Sequence, residues 1–136
     1  AHASSLAHHV LHLAYAPLVR LPERPADGVD VVDRAEDLLD AEPECRFCPI
    51  DYWVTAASTC ARAGDAGRGR DFLARAEQSA RLWAGGPWSA AIAEARGHVL
   101  RCEGDEERAA AQFLRAAEGF EAAGQRLNAS RARAAV

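Results

Sequence analysis

The chain has no lysine and no methionine, and no segment of more than four residues alternates as a half-buried strand would. The missing alternation excludes a sheet and leaves an all-α protein. All sixteen basic residues are arginine, so a Gly-x-x-x-x-Gly-Lys phosphate loop is absent. With so much alanine, the arginine bias reflects a GC-rich coding sequence and carries no functional weight. There is no apolar run of about eighteen residues and no basic start followed by a short apolar block. We therefore read neither a membrane span nor a secretory signal, and expect a cytoplasmic protein. A net charge of -4 with acids and arginines interleaved leaves no basic face to displace counterions from phosphates. Direct nucleic-acid contact is not expected. The absence of methionine, with an Ala-Arg-Ala-Ala-Val end that still reads as helix, leads us to expect a piece of a longer protein.

What is present is enough for one domain over residues 1–136, since 49% of the residues are hydrophobic. A small residue, a larger apolar one four places on and alanine seven places on occur three times. The copies are Gly28/Val32/Ala35, Gly69/Leu73/Ala76 and Ala109/Phe113/Ala116, 41 and then 40 residues apart. A period in that range predicts stacked helical hairpins, each burying its face against its neighbours and leaving a shaped surface for a partner. The two later copies are preceded by Gly64-Asp65 and Gly104-Asp105. Glycine accepts the left-handed conformation past a helix end, and aspartate caps the next helix.

Eleven residues before Gly64 stands Trp53, followed by Ala57 and Cys60; eleven before Gly104 stands Ala93, followed by Gly97 and Leu100. Large, small, apolar, a glycine turn, then small/large/Ala resembles the tetratricopeptide (TPR) pattern over roughly residues 8–120. Three departures point to longer-helix TPR variants. The period exceeds the usual ~34, Cys60 or Leu100 stands where an aromatic closes the first helix, and the proline ending the second helix is missing. The phrases CARAGD (60–65), LWAGGPWSAAIAEARG (82–97) and AAEGFEAAGQRLNASRARAA (116–135) resemble the C-terminal helical-repeat region of large ATP-binding LuxR-type bacterial transcriptional regulators. That resemblance implies a sensor or scaffold segment and no chemistry, since the chain has neither the phosphate loop nor a recognisable helix-turn-helix.

Helical spacing and breaker residues predict seven helices, over about 4–20, 26–40, 49–63, 66–83, 87–103, 105–123 and 126–135. They form hairpins 4–42, 49–84 and 87–123 with a capping helix 126–135. The TPR resemblance implies a right-handed α-α superhelix. In the first helix Leu6, Val10, Leu13 and Ala14 form the expected inward stripe, and Pro17 predicts a kink or early stop. In the second, Val32, Ala35, Leu38 and Leu39 face inward. Pro49 suits the first turn of the third helix and Pro87 opens the fifth. Transferring the TPR groove positions implies a concave side carrying Leu13, Pro17, Val54, Ser58, Arg62, Glu94, His98 and Arg101. The competing reading is a plain solvated face.

Cys45 and Cys48, in Cys-Arg-Phe-Cys-Pro, are the only pair with metal or redox spacing. Plain loop cysteines are the leading reading. A zinc site needs two more ligands, which His8 and His12, four apart on one helix face, are placed to supply. Alternatively the dipole of the third helix lowers the Cys48 thiol toward thiolate, or the pair forms a disulfide. Cys60 reads as a small buried hydrophobe, Trp53 as a packing residue, and Trp83 and Trp88 as caps on the core or as a partner-facing aromatic edge. Adjacent acids such as Glu36-Asp37 and Glu106-Glu107 diverge around a helix, and no Gly-x-Ser-x-Gly occurs. We expect no enzyme and no resident cofactor. The expected function is a scaffold taking a protein, peptide or small effector on its concave face; the alternative is a zinc- or redox-responsive module built on the Cys45/Cys48 loop. Self-association through the exposed faces of the first and last helices is a further expectation.

Overall fold

The structure, a computed structural model, describes residues 2–38 and 45–136. Over these it contains seven helices and no strand: α1 (His2–Arg20), α2 (Pro25–Leu38), α3 (Ile50–Arg62), α4 (Ala66–Ala80), α5 (Ser89–Cys102), α6 (Glu106–Ala122) and α7 (Arg126–Ala134). Each helix packs on the next in sequence, and α1 also packs on α3 and α3 on α5. Among the described residues no helix is long and apolar enough to cross a membrane.

Local chemistry sets the helix ends. Gly64, Gly104 and Gly124 have φ of +94°, +88° and +75°, the left-handed conformation open to a residue without Cβ. At each, the glycine and the residue after it donate backward to the last turn. Gly64 N bonds Ala61 O at 3.0 Å and Asp65 N bonds Cys60 O at 2.9 Å, a Schellman closure. The same pair of bonds recurs at Gly104-Asp105 and at Gly124-Gln125. Asp65 and Asp105 then cap the following helices, accepting from Arg68 N at 3.0 Å and Arg108 N at 3.2 Å.

All nine residues of the repeated small/large/Ala pattern are buried. The small positions let helices approach. A Cβ built on Gly28 would lie 2.7 Å from Thr59 Cγ2 and 2.9 Å from Val19 O, so α2 meets α1 and α3 there only through glycine. The main core runs through α1 to α5 around Tyr52, Trp53, Phe72 and Val32. Toward the C-terminus it becomes alanine-rich: Ala93, Ala116, Ala117, Ala129 and Ala132 pack around Phe120. Ion pairs stitch helices across the surface, among them Arg68–Asp33 at 2.7 Å and Arg96–Glu77 at 2.9 Å. Tyr52 donates its hydroxyl to Glu36 at 2.8 Å, and burial followed by that carboxylate raises its pKa well above the usual range.

Several expectations are corrected. Helix α1 does not stop at Pro17, whose carbonyl still accepts from Leu21 N at 3.0 Å. Its inward stripe differs too: Val10 and Leu13 are 57% and 62% exposed, whereas His12, Ala16 and Val19 are buried. The helix carries two apolar stripes, and close packing on α3 selects the one with the small Ala16. Leu38 is exposed, and Leu39 lies outside the described residues. Helix α4 ends at Ala80, not at Trp83, because Leu82 N and Trp83 N bond back three residues, to Ser79 O and Ala80 O, in a tightened turn. Pro87 precedes α5 without opening it, since Gly85 and Gly86 are both left-handed and the turn extends to Trp88.

Candidate functional site

A cavity of about 860 Å³ opens on the face shared by the odd-numbered helices. That volume lies within the range of small-molecule sites. Helix α3 presents one stripe to it, from Asp51 through Val54, Thr55, Ser58 and Thr59 to Arg62. Val19 and Arg20 close it from α1; Ala91, Glu94 and His98 line it from α5; Asn128 and Arg131 line it from α7. Trp83, Trp88 and Phe120 supply an aromatic wall. Trp83 stands edge-on to Trp88 at 6.0 Å and to Phe47 at 5.7 Å.

The charges are arranged unevenly. Arg20 pairs with Asp51. Arg131 grips Glu94 with two bonds, Nε to Oε2 at 2.9 Å and Nη2 to Oε1 at 2.7 Å, and Glu94 is only 12% exposed. Such a bidentate pair fixes geometry as well as charge. Arg131 also donates to Asn128 Oδ1 at 3.0 Å and lies over the Phe120 ring at 5.9 Å. Arg62, exposed, makes no ion pair or hydrogen bond among the described residues. His98 packs edge-on against Phe113 at 4.8 Å. Burial, then the positive charges of Arg62, Arg101 and Arg131, lower its pKa to about 4, so the imidazole is neutral at pH 7.

Of the eight residues the TPR alignment selects, Val54, Ser58, Arg62, Glu94 and His98 line this cavity, whereas Leu13, Pro17 and Arg101 do not. Leu13 and Pro17 lie on the exposed face of α1, turned away as Ala16 packs inward. Arg101 bonds Glu106 at 3.0 Å across the α5–α6 turn and stacks over Phe113 at 4.8 Å. Sequence reasoning missed Thr55, Phe120, Asn128 and Arg131. Only the position of Thr55, one residue past Val54 on the same stripe, offered a signal for any of them.

The cysteine loop forms no disulfide and departs from the thiolate and zinc alternatives. Cys45 and Cys48 bring their sulfurs to 3.1 Å. Burial, then the hydrogen bond and charge of Cys45, push the Cys48 thiol up to about 11, the opposite of a thiolate favoured by the helix dipole. Pro49 and not Cys48 occupies the N-cap of α3. Among the described residues no three His, Cys, Asp or Glu are grouped to hold a metal, so Cys45, Cys48 and His12 do not converge. His12 packs on Tyr52 at 5.9 Å, and the side chain of His8 lies outside the described residues. Cys60 is fully buried, and burial raises its thiol to about 11.

The chain matches no protein-family model, and no curated protein or solved structure shows significant similarity to it.

Proposed function

We propose that this chain is a non-catalytic scaffold of TPR-type hairpins wound as a right-handed superhelix, binding a peptide, protein or small effector on its concave side. Its setting, as the sensing segment of a larger ATP-binding LuxR-type regulator, rests on the sequence phrases alone. The observation that carries the binding reading is that five positions selected by the TPR alignment line one cavity of about 860 Å³. The absence of catalysis is supported by the state of its ionisable groups. Asp51 and Glu94 are each held by an arginine, and His98 faces an aromatic ring.

Ser58 sits mid-stripe on the cavity wall and is half-buried, so a Ser58→Trp side chain fills the cavity with little disturbance to the core behind it. Peptide and small-effector libraries screened by ligand-observed NMR should yield ligands that bind the wild type and not Ser58→Trp. If every ligand found binds both equally, the cavity is not the site.

A second reading, a redox-responsive module, has an observation of its own: the 3.1 Å approach of Cys45 and Cys48 beside Phe47, which contacts the cavity residue Trp83. A peroxide would join the two sulfurs, the thiols losing two protons and two electrons and hydrogen peroxide leaving as two waters. Tryptophan fluorescence should then differ between peroxide-treated and dithiothreitol-treated protein, and identical spectra would remove this reading.

A further inference from the structure

Cys45 and Cys48 stand in the loop before α3 with their sulfurs 3.1 Å apart, both half-buried and not joined in a disulfide. The loop between and after them is held at three points. The buried hydroxyl of Ser79, on α4, donates to Arg46 O, and the Phe47 ring sits edge-on against Trp83 at 5.7 Å. Directly after Cys48, the buried Pro49 is the N-cap of α3. Two thiols held in this way form a chelate that is ordered before any ligand arrives.

The spacing of the sulfurs selects what the chelate can hold. With a metal–thiolate bond of about 2.3 Å, a tetrahedral ion spreads two sulfurs to about 3.8 Å and a linear two-coordinate ion to about 4.6 Å. An element whose bonds meet near a right angle spreads them to about 3.3 Å at the same bond length. That spacing is nearest to the 3.1 Å found here, and it belongs to trivalent arsenic, which is pyramidal because it carries a lone pair. The ligand count agrees. Among the described residues no three His, Cys, Asp or Glu are grouped, so the pair supplies two ligands and not the four of a structural zinc site. Proton balance points the same way, because thiols are largely protonated at pH 7 and a dication must expel both protons to bind them. A hydroxide of trivalent arsenic carries those protons off as water.

We propose that Cys45 and Cys48 bind a monosubstituted trivalent arsenical, R–As(OH)2, at a site apart from the cavity. Two As–O bonds break and two As–S bonds form; each thiol proton leaves with a hydroxide as water, and no atom changes oxidation state. The carbon substituent R keeps the third arsenic bond, which two thiols leave over. Phe47, 44% exposed between the two cysteines, offers it an aromatic surface. The site uses the two thiols of the redox reading without oxidising them, so either reading can fail alone.

The test is a titration of the whole chain, reduced with a phosphine, with phenylarsine oxide, which hydrates to this form. Intact mass should show one equivalent bound, two of the four cysteines should become unreactive to a thiol reagent, and 2,3-dimercaptopropanol should reverse both. Cys45→Ser and Cys48→Ser should each weaken binding about a hundredfold or more, since the second sulfur acts at high effective concentration. Cys102→Ser and Ser58→Trp should bind as wild type does, and arsenite, with a hydroxyl in place of R, should bind more weakly. Undiminished binding by Cys45→Ser, loss of binding in Cys102→Ser, or displacement of the arsenical by excess zinc overturns the proposal. Arsenite held as tightly as phenylarsine oxide overturns the place given to R. An adduct in protein whose tryptophan fluorescence ignores peroxide removes the redox reading alone, and a peroxide response without an adduct removes this proposal alone.

Discussion

The hairpins α3/α4 and α5/α6 share one pattern but distribute its bulk differently. In the first, the large residue sits on the leading helix: Trp53 with Ala57 and Cys60, facing Gly69, Leu73 and Ala76. In the second the leading helix is small, Ala93 and Gly97 before Leu100, and the bulk moves to Phe113 on the trailing helix, between Ala109 and Ala116. All twelve are buried. The glycine moves with the bulk: a Cβ on Gly97 would lie 2.8 Å from the Phe113 ring, whereas a Cβ on Gly69 would lie 3.2 Å from Ala57 O. The repeat thus specifies how much volume fills the interface and where helices touch, and leaves open which helix supplies it.

The sharpest way to break this comparison is to remove the bulk from each hairpin. Trp53→Ala and Phe113→Ala should each cost about 3–5 kcal/mol in urea unfolding. If Phe113→Ala cost under about 1 kcal/mol, the second hairpin would not be built around that ring. Next in size is a pH effect confined to the second hairpin, where His98 stands at the position matched by Ser58 in the first. Below pH ~6.5 the unfolded chain protonates this imidazole, which the native protein leaves neutral down to about 4. Its contribution therefore falls as pH drops through that window, by about 1.4 kcal/mol per unit at most, and is flat above it. The difference between wild type and His98→Asn in unfolding free energy should show this slope between pH 6.5 and 4 and none between 7 and 8.

Smaller again is Gly97→Ala, which should cost about 1–3 kcal/mol by overpacking. Adding Phe113→Leu to it should recover part of the loss, so the two changes are non-additive in a double-mutant cycle. Independent costs would show that Gly97 and Phe113 do not share one space. Smallest are the caps: Asp65→Ala and Asp105→Ala should each lower stability by about 1 kcal/mol. The similar values would mark the turns as the part the two hairpins hold in common.

Those turns were also the most legible part of the sequence. Gly64-Asp65 and Gly104-Asp105 announce helix ends because left-handed φ and side-chain capping are local demands that one or two residues meet. The buried small/large/Ala positions were legible for a related reason: helical periodicity fixes which residues share a face. What was not legible is which of two apolar faces a helix turns inward. On α1 the stripe of Val10 and Leu13 is as apolar as that of Ala16 and Val19, and only the close fit against α3 decides between them. The cavity was half legible. The positions Val54, Ser58 and Arg62 came from the TPR resemblance, but the Glu94–Arg131 pair joins residues far apart in sequence. The third turn, Gly124-Gln125, was legible from the glycine alone, since no aspartate follows it and Gln125 makes no side-chain cap.

Helix α7 is only nine residues long and buries no side chain larger than alanine, Ala129 and Ala132. Opening it uncovers little apolar surface beyond these alanines and the Phe120 ring they cover, and its ion pairs to the rest are Arg131–Glu94 and Arg133–Glu121. Its amides should therefore exchange with solvent deuterium through a low-energy local opening, long before those of α3, whose face is almost wholly buried. Because Asn128 and Arg131 form one side of the cavity, an occupant that touches them would suppress that opening. Binding would then register as protection of the chain's last turns, tens of residues from the α3 stripe.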